Sequence, residues 1–349
     1  MRLLVLTDNN FIPFAQKELS LILNKKAAQD PLLDDSLLID MDDITEASVI
    51  LSLFSEMAKL FCLELGRWDI SNIQESYYKA MEIPWDEYWT PNLTFAVRPQ
   101  VRDQELLKNL GKHIGQAIVD TFLQNKKNKP RVNLSNPEIE VYVWYKENSL
   151  ILALNLCGPP LNTPEEIIAR GLVLASEWDF KKNFGEILYA GSSLSAFRLA
   201  SWEARRERIS SRAFIRLNII DKEKIIELLR KSWRKNHAKV TCYERRNKIP
   251  ILREEEPEIR RINLKTIEEL GDADEEVLVT NFLFALEKKK EQKEWAEKIS
   301  EILKHNNNWQ RVLILIREDL ADNFILEGKL WEKSITLKGI KTKIVNYSR

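Results

Sequence analysis

One apolar stretch ends on a polar side chain of a kind that contacts substrates. Residues Val277 to Phe284 read VLVTNFLF, so that a strand-like run reaches a single amide, Asn281, and continues with three bulky apolar side chains. An amide at the end of a strand can both donate to and accept from a planar polar ligand. Phe and Leu at such a position are more often part of a core. These residues therefore leave two interpretations open, a ligand site and a repacked strand end.

Basic side chains form a second group with chemical potential. The chain carries 53 basic and 53 acidic residues, but residues 1–90 hold 7 basic and 16 acidic ones, whereas residues 198–261 hold 19 and 10. A local excess of positive charge favours a polyanionic partner, because each phosphate contact releases condensed counterions. The same clusters are also typical of solvated helix faces.

Composition limits the class of protein. A chain of 349 residues with 44% hydrophobic and 30% charged residues is expected to form two or three globular domains. Its apolar runs are too short to span a bilayer, and the opening MRLLVL turns polar at TDNN, so we expect a cytoplasmic protein without a membrane partner. The cysteines Cys62, Cys157 and Cys242 are scattered, which predicts reduced thiols and no metal site.

The elements that would position these residues fall into three predicted domains, 1–89, 90–158 and 159–349. The first is a small α/β layer with strands in RLLVLT and SLLIDM, a helix in FAQKELSLILNK, and a helical run from ITEASVILSLF through FCLELGRW. The segment IPWDEYWTPN is predicted to be a hinge into the next domain. The second domain has a strand in LTFAVRPQ, a long helix from Asp103 to Gln124, a basic loop KKNKPRVNLSNPEIE, and a hairpin turning at ENS.

The middle domain resembles a known family. Its order of FAVR, a helix containing GKHIGQAI, then PRVNLSNPEIEVYV, then a strand ending in Cys157 and Gly158, is similar to the THUMP domain of RNA-modifying enzymes. The resemblance implies a tRNA or rRNA partner and a ferredoxin-like unit before the THUMP domain. The candidate RNA contacts are basic side chains of this domain, which offer forked or mobile donors to phosphate: Arg98, Arg102, Lys126, Lys127, Lys129 and Arg131.

The third domain alternates strands and helices, which predicts a Rossmann-like, doubly wound sheet whose ligands bind beyond the carboxyl ends of its strands. The predicted strands, in order, are GEILYAGSS, FIRLNII, KVTCYE, VLVTNFLF and RVLILI, followed by the terminal hairpin SITLKGIKTKIVNY. This order is similar to S-adenosylmethionine-dependent methyltransferases that follow a THUMP domain and methylate guanine N2 in tRNA or rRNA.

The signatures of that family are altered in this chain. Where the family has DPFCGSGT, residues Ile187 to Leu194 read ILYAGSSL, so that Gly191 and Ser192 are the remaining candidates for cofactor binding. The acid expected after the second strand falls near Ile219, with Asp221 as a substitute, and the adenine acceptor after the third strand falls at Arg245 or Arg246. The family's NPPY appears as Asn281, Phe282, Leu283 and Phe284, with both prolines lost.

These changes favour a noncatalytic RNA-binding protein with no cofactor, in which Asn281 and Phe284 are vestigial catalytic residues. One alternative is an active, divergent methyltransferase that binds S-adenosylmethionine through Gly191, Ser192 and Asp221. A second alternative is a protein scaffold for an RNA-modifying partner. An open cleft reaching Asn281 would favour the enzyme, and a filled notch would favour the binder.

Overall fold

The computed structural model describes residues 1–231, 233, 239–245, 259–264 and 267–349. The strands in chain order are β1 (Arg2–Leu6), β2 (Ala28–Gln29), β3 (Ser36–Asp40), β4 (Leu60–Asp69), β5 (Thr94–Pro99), β6 (Arg131–Val132), β7 (Ile139–Lys146), β8 (Ser149–Asn155), β9 (Phe184–Ile187), β10 (Val240–Arg245), β11 (Ile259–Leu264), β12 (Val277–Asn281), β13 (Arg311–Arg317), β14 (Lys329–Leu337) and β15 (Ile340–Ser348). The α-helices are α1 (Ile12–Leu23), α2 (Ile44–Phe54), α3 (Glu75–Met81), α4 (Trp85–Tyr88), α5 (Gln104–Gln124), α6 (Pro164–Ala175), α7 (Ser192–Ser201), α8 (Lys222–Arg230), α9 (Phe282–Ala285) and α10 (Lys289–His305).

The chain divides into two units that are not continuous in sequence. The first unit comprises Met1–Thr163 and Arg205–Ser232, and the second comprises Pro164–Ala204 and Trp233–Arg349. Residues 205–232, which the sequence assigned to the third domain, thus belong with the first unit. The predicted boundaries at 89 and 158 stay predictions.

The first unit contains an eight-stranded sheet in the order β2-β3-β1-β4-β8-β7-β5-β6. Strand β1 pairs antiparallel with β3 on one side and with β4 on the other, and β4 then pairs with β8 from Cys62↔Asn155 to Asp69↔Ser149. Strand β5 pairs parallel with both β7 and β6. The predicted hairpin is confirmed, with Glu147 and Asn148 in its turn at positive φ.

Two predictions for this unit are wrong. The helical run does not continue through FCLELGRW, because these residues form β4 in the interior of the sheet. The strand begins with the continuously buried apolar residues Leu60–Leu63, and the periodicity of such a short run does not distinguish helix from strand. The segment predicted as a hinge is instead packed. Trp85 and Trp89, in and after α4, are fully buried, and the Trp89 ring lies 5.8 Å from that of Phe122 on α5.

The second unit contains the predicted Rossmann-like sheet, in the order β11-β10-β9-β12-β13-β15-β14. Strands β11, β10, β9, β12 and β13 are parallel, and β15 and β14 continue the sheet antiparallel to them. One face packs on α10 through a core that includes Ile187, Leu278, Phe282 and Ile314. The carboxyl ends of the parallel strands meet at one edge of this sheet, which is where the predicted site lies.

The predicted strand order requires one correction. FIRLNII is not a strand: Ala213–Arg216 is a 3-10 turn of the first unit, in which Phe214 is fully buried and its N–H donates to the Leu156 carbonyl at 2.9 Å. KVTCYE is therefore the second parallel strand in sequence, β10, and β11 is a third strand that the sequence did not reveal. The residues predicted to follow the second and third strands therefore have to be matched to other strand ends.

Candidate functional site

The loop after β9 is held by a buried carboxylate that the sequence comparison missed. Glu186 is fully buried, and its carboxylate accepts from the backbone N–H groups of Ala190 (2.9 Å), Ser192 (2.8 Å) and Ser193 (2.9 Å) and from the Ser193 hydroxyl (2.7 Å). Burial raises the pKa of Glu186, although these hydrogen bonds oppose the rise. The first strand end thus retains an acid, one residue before the expected position at Ile187, but its oxygens already accept from the loop.

Gly191 and Ser192, the two predicted cofactor residues, lie together where this loop enters α7. Gly191 has a φ of 101°, in the left-handed region where a side chain is strained, and a Cβ there would lie 3.5 Å from the Ala169 Cβ. Ser192 is fully buried, and its hydroxyl oxygen has no hydrogen-bond partner among the described residues. The loop therefore combines one permissive backbone position with one unsatisfied hydroxyl.

The end of β10 presents a second buried acid. Glu244 is 7% exposed, its Oε1 accepts no hydrogen bond from the described part of the chain, and burial raises its pKa. The prediction of a cation at an adenine-facing third strand end is wrong, because β10 is the second strand and Arg245 is its last residue. Arg246 lies outside the described residues. A carboxylate oxygen without a partner, at the edge where ligands bind in such sheets, suits the hydroxyl groups of a ligand.

The prediction for Asp221 is wrong in its structural basis. Asp221 and Ile219 follow no strand, and both belong to the first unit rather than to the unit that contains Gly191. The Asp221 carboxylate accepts from the Lys224 N–H at 3.0 Å and so caps the N-terminus of α8. Its backbone N–H donates to the Thr45 hydroxyl at 3.0 Å. We therefore assign Asp221 a structural role.

The end of β12 answers the question that VLVTNFLF raised. Asn281 is 1% exposed, and its Oδ1 accepts from the Phe284 N–H at 3.2 Å, which caps the short helix α9. Phe282 is fully buried, with its ring 6.0 Å from that of Phe324. Phe284 is half-buried, and the Lys338 Nζ lies 5.1 Å from its ring centroid. The amide is thus engaged locally, whereas the Phe284 aromatic ring remains partly accessible.

The candidate RNA contacts divide into two groups. Arg98 forms an ion pair with Glu140 at 2.9 Å and donates to the Leu134 carbonyl, and Lys127 pairs with Asp86 at 2.7 Å. The other four side chains are exposed and pair with no carboxylate in the described ranges: Arg102, Lys126, Lys129 and Arg131. The second group retains its full capacity to bind phosphate.

Two arginines of the basic stretch between Arg198 and Arg261 have a structural role. Arg205 and Arg212 are each 6% exposed. Arg205 donates to the Ser55 carbonyl and Arg212 to the Pro159 carbonyl, both at 2.8 Å, which ties residues 205–232 to the rest of the first unit. The sequence could not reveal this role, because an arginine that binds a backbone carbonyl and one that binds phosphate contribute equally to a local excess of positive charge.

No described helix is long and apolar enough to cross a membrane. No cluster of three or more His, Cys, Asp or Glu side chains suited to a metal ion occurs in the described ranges. The three cysteines are free and buried.

The fold and these sites define a THUMP domain joined to a class I methyltransferase fold. The THUMP domain family model matches residues 71–155. The structure superimposes on that of SMU.472 complexed with SAH with a TM-score of 0.78 and 14% identity, covering 99% of this chain and 97% of the other. For TrmN from Thermus thermophilus the TM-score is 0.70 at 14% identity, covering 100% and 99% of the two chains.

A relative by sequence is the ribosomal RNA large subunit methyltransferase K/L of Allochromatium vinosum. The two chains are 26% identical over an alignment of 142 positions, and the match covers 36% of this chain. The match spans 19% of the length of that relative. The resemblance inferred from PRVNLSNP and from the alternation of strands and helices is therefore confirmed, and the chain resembles THUMP-containing RNA methyltransferases.

Proposed function

We propose that this protein binds structured RNA through its THUMP domain and that its methyltransferase-fold domain does not transfer a methyl group to guanine. The observation that carries the proposed loss of catalysis is the hydrogen bond that the Asn281 side chain already makes. A flipped base needs a free amide or carbonyl acceptor at this strand end. Here the Asn281 Oδ1 already accepts from the Phe284 N–H, which occupies one of its two lone pairs and so reduces what it can offer a base, and Phe282 fills the core beside it.

The RNA part of the proposal is supported by charge and by the family match. Lys126, Lys129 and Arg131 are exposed, lie within ten residues of one another, and fall inside the matched range of residues 71–155. Lysine and arginine side chains without a carboxylate partner bind phosphate without first breaking an ion pair. The sequence relative is named as a ribosomal RNA methyltransferase, and the structure has the fold of TrmN. Together with the THUMP resemblance, these similarities lead us to propose a tRNA or rRNA as the partner.

A filter-binding titration with total tRNA tests this part. The double variant K126A/K129A should weaken retention by about tenfold and reduce the salt dependence, because each lost phosphate contact lowers the slope by about 0.9. The matched control is K17A/K26A, which removes two exposed lysines elsewhere in the same unit. No salt-sensitive retention by the wild-type protein would instead favour a scaffold that binds a protein partner.

A methyl-transfer assay tests the loss of catalysis. The protein is incubated with tritiated S-adenosylmethionine and with tRNA and rRNA transcripts, and label incorporated into RNA is measured. We expect no incorporation above a protein-free blank. Incorporation that disappears in the Asn281→Ala variant would overturn the proposal and establish the divergent enzyme.

Binding of the cofactor without catalysis is a second candidate function, favoured by Glu244. The residues fit the ribose of S-adenosylmethionine, because the Glu244 Oε1 suits its hydroxyl groups and, like the Ser192 hydroxyl, accepts no hydrogen bond from the described residues. The residues offer less to the rest of the cofactor, because the N–H groups of Ala190, Ser192 and Ser193 all donate to Glu186. The altered positions Ile187 and Leu188 are consistent with this, since both side chains lie in the core.

Calorimetric titration separates the two candidates. If the site is lost, neither S-adenosylmethionine nor SAH gives measurable heat. If it is retained, micromolar binding should weaken by roughly tenfold or more in the Glu244→Gln variant, which loses a charged acceptor.

A cytoplasmic location is part of the proposal, because three free thiols suit a reducing compartment.

A further inference from the structure

We propose that Arg216 extends the RNA-binding surface of the THUMP domain and binds the same RNA backbone as Arg131. Arg216 lies in the segment 205–232, which follows α7 in sequence but belongs to the first unit. The inference rests on the proposed function, since it adds a phosphate contact from outside the matched range of residues 71–155.

Three neighbouring parallel strands of the first unit begin at one end of the sheet. Thr94 is the first residue of β5, Arg131 is the first residue of β6 and pairs with Thr94, and Glu138 directly precedes β7. The Glu138 N–H donates to the Thr94 carbonyl at 3.1 Å, so Arg131 and Glu138 flank Thr94 on its two sides. Since adjacent strands lie about 4.8 Å apart, the backbones of Arg131 and Glu138 are separated by roughly 10 Å.

Arg216 reaches this strand end from a distant part of the sequence. Its side chain is exposed, and its Nη1 lies 3.5 Å from the Glu138 carbonyl oxygen. A contact of that length is a weak hydrogen bond, so it leaves the guanidinium group free to exchange partners. Like Arg131, Arg216 forms no ion pair with a carboxylate in the described ranges. Two available guanidinium groups therefore meet at one strand end.

The turn that carries Arg216 is held in place by the first unit. Phe214 is fully buried and Leu217 is 1% exposed, so the residues on both sides of Arg216 belong to the core. The Asn218 N–H donates to the Tyr88 carbonyl at 2.8 Å. A side chain on an ordered turn loses less conformational freedom on binding than one on a loop that must first be ordered.

The charge at this strand end suits a polyanion. Arg216, Arg131 and Lys129 are exposed cations. The acid beside them is Glu138, whose carboxylate accepts from the Thr94 N–H at 2.9 Å and from the Thr94 hydroxyl at 3.2 Å. Its oxygens are thus directed to β5 rather than to either arginine. Guanidinium groups offer forked donors that match phosphate oxygens, so successive phosphates of one RNA strand are the ligand that this arrangement fits.

Filter binding of total tRNA at several salt concentrations tests the contact. Arg216→Ala should weaken retention by roughly three- to tenfold and lower the salt slope by about 0.9, because one phosphate contact is lost. Arg131→Ala should have the same effect, and the double variant should lower the slope by about 1.8.

The matched control is Arg206→Ala. Arg206 is an exposed arginine of the same segment, pairs with no described carboxylate, and also donates to a single backbone carbonyl, that of Leu229 at 3.0 Å. Its contact lies on α8 rather than at the strand end, so the control should leave both affinity and salt slope unchanged. Thermal melts should show the same midpoint for all variants within the small range that exposed substitutions cause.

The salt slope separates a phosphate contact from a structural role. Weaker retention by Arg216→Ala with an unchanged slope would assign Arg216 a structural role and overturn the proposal, as would a loss no larger than that of Arg206→Ala. In either case salt-sensitive binding by the wild-type protein would leave the proposed function standing. Absence of salt-sensitive binding by the wild-type protein would refute the proposed function, and this inference with it.

Discussion

Replacing Glu186 with alanine should release the loop that follows β9. The Glu186 carboxylate is fully buried and accepts from three backbone N–H groups, those of Ala190, Ser192 and Ser193. Alanine supplies no acceptor, so these donors lose their partner. Each unsatisfied buried N–H costs about 1–2 kcal/mol, and the sum is offset in part because the variant no longer buries a carboxylate. We expect a net loss of about 3 kcal/mol in the free energy of opening this loop.

Amide hydrogen exchange measures this loss where it occurs. Local opening that is easier by about 3 kcal/mol should accelerate exchange at Ala190, Ser192 and Ser193 by roughly a hundredfold, since about 1.36 kcal/mol corresponds to a factor of ten. The matched control is Glu177→Gln, which alters an exposed ion pair with Arg311 in the same unit. That change should cost no more than about 1 kcal/mol.

The result that would refute this reasoning is unchanged protection of the three amides in the Glu186→Ala protein. Such a result would mean that the carboxylate does not hold the loop in solution. The argument that the loop N–H groups are unavailable to a cofactor would then fail as well, because it depends on the same hydrogen bonds.

Three further predictions concern stability. Burial raises the pKa of Glu186 above its ordinary value of 4.5, so the folded state holds this proton more tightly than the unfolded state; urea midpoints should therefore fall as pH rises from 4.5 through the folded pKa, and this component should be absent in Glu186→Gln. Phe282→Ala should lower the free energy of unfolding by about 3–5 kcal/mol in urea titrations, because the ring is fully buried, whereas the half-buried Leu283→Ala should cost clearly less. Asp221→Ala should cost about 1 kcal/mol in thermal melts through loss of the α8 cap, and retention of full stability would contradict that role.

Local sequence patterns determined most of the elements. The short apolar runs RLLVLT and RVLILI predicted strands and the apolar spacing of α5 predicted a helix, and β1, β13 and α5 appear as expected. The residues PRVNLSNP likewise identified the THUMP domain, which the family model matches. In these cases the information lies within a few neighbouring residues.

Only the tertiary structure decided where the ambiguous segments belong and which polar groups remain available. FIRLNII satisfies a strand pattern, yet its backbone pairs with Leu156 in the first unit as a 3-10 turn, because an apolar run is buried equally well in either geometry. Glu186 and Glu244 are both acids at strand ends, but one already accepts from a loop and the other has an oxygen without a described partner. The conformation of the loop after β9 makes that difference, because it turns three backbone N–H groups towards Glu186, and no periodicity or motif encodes that conformation.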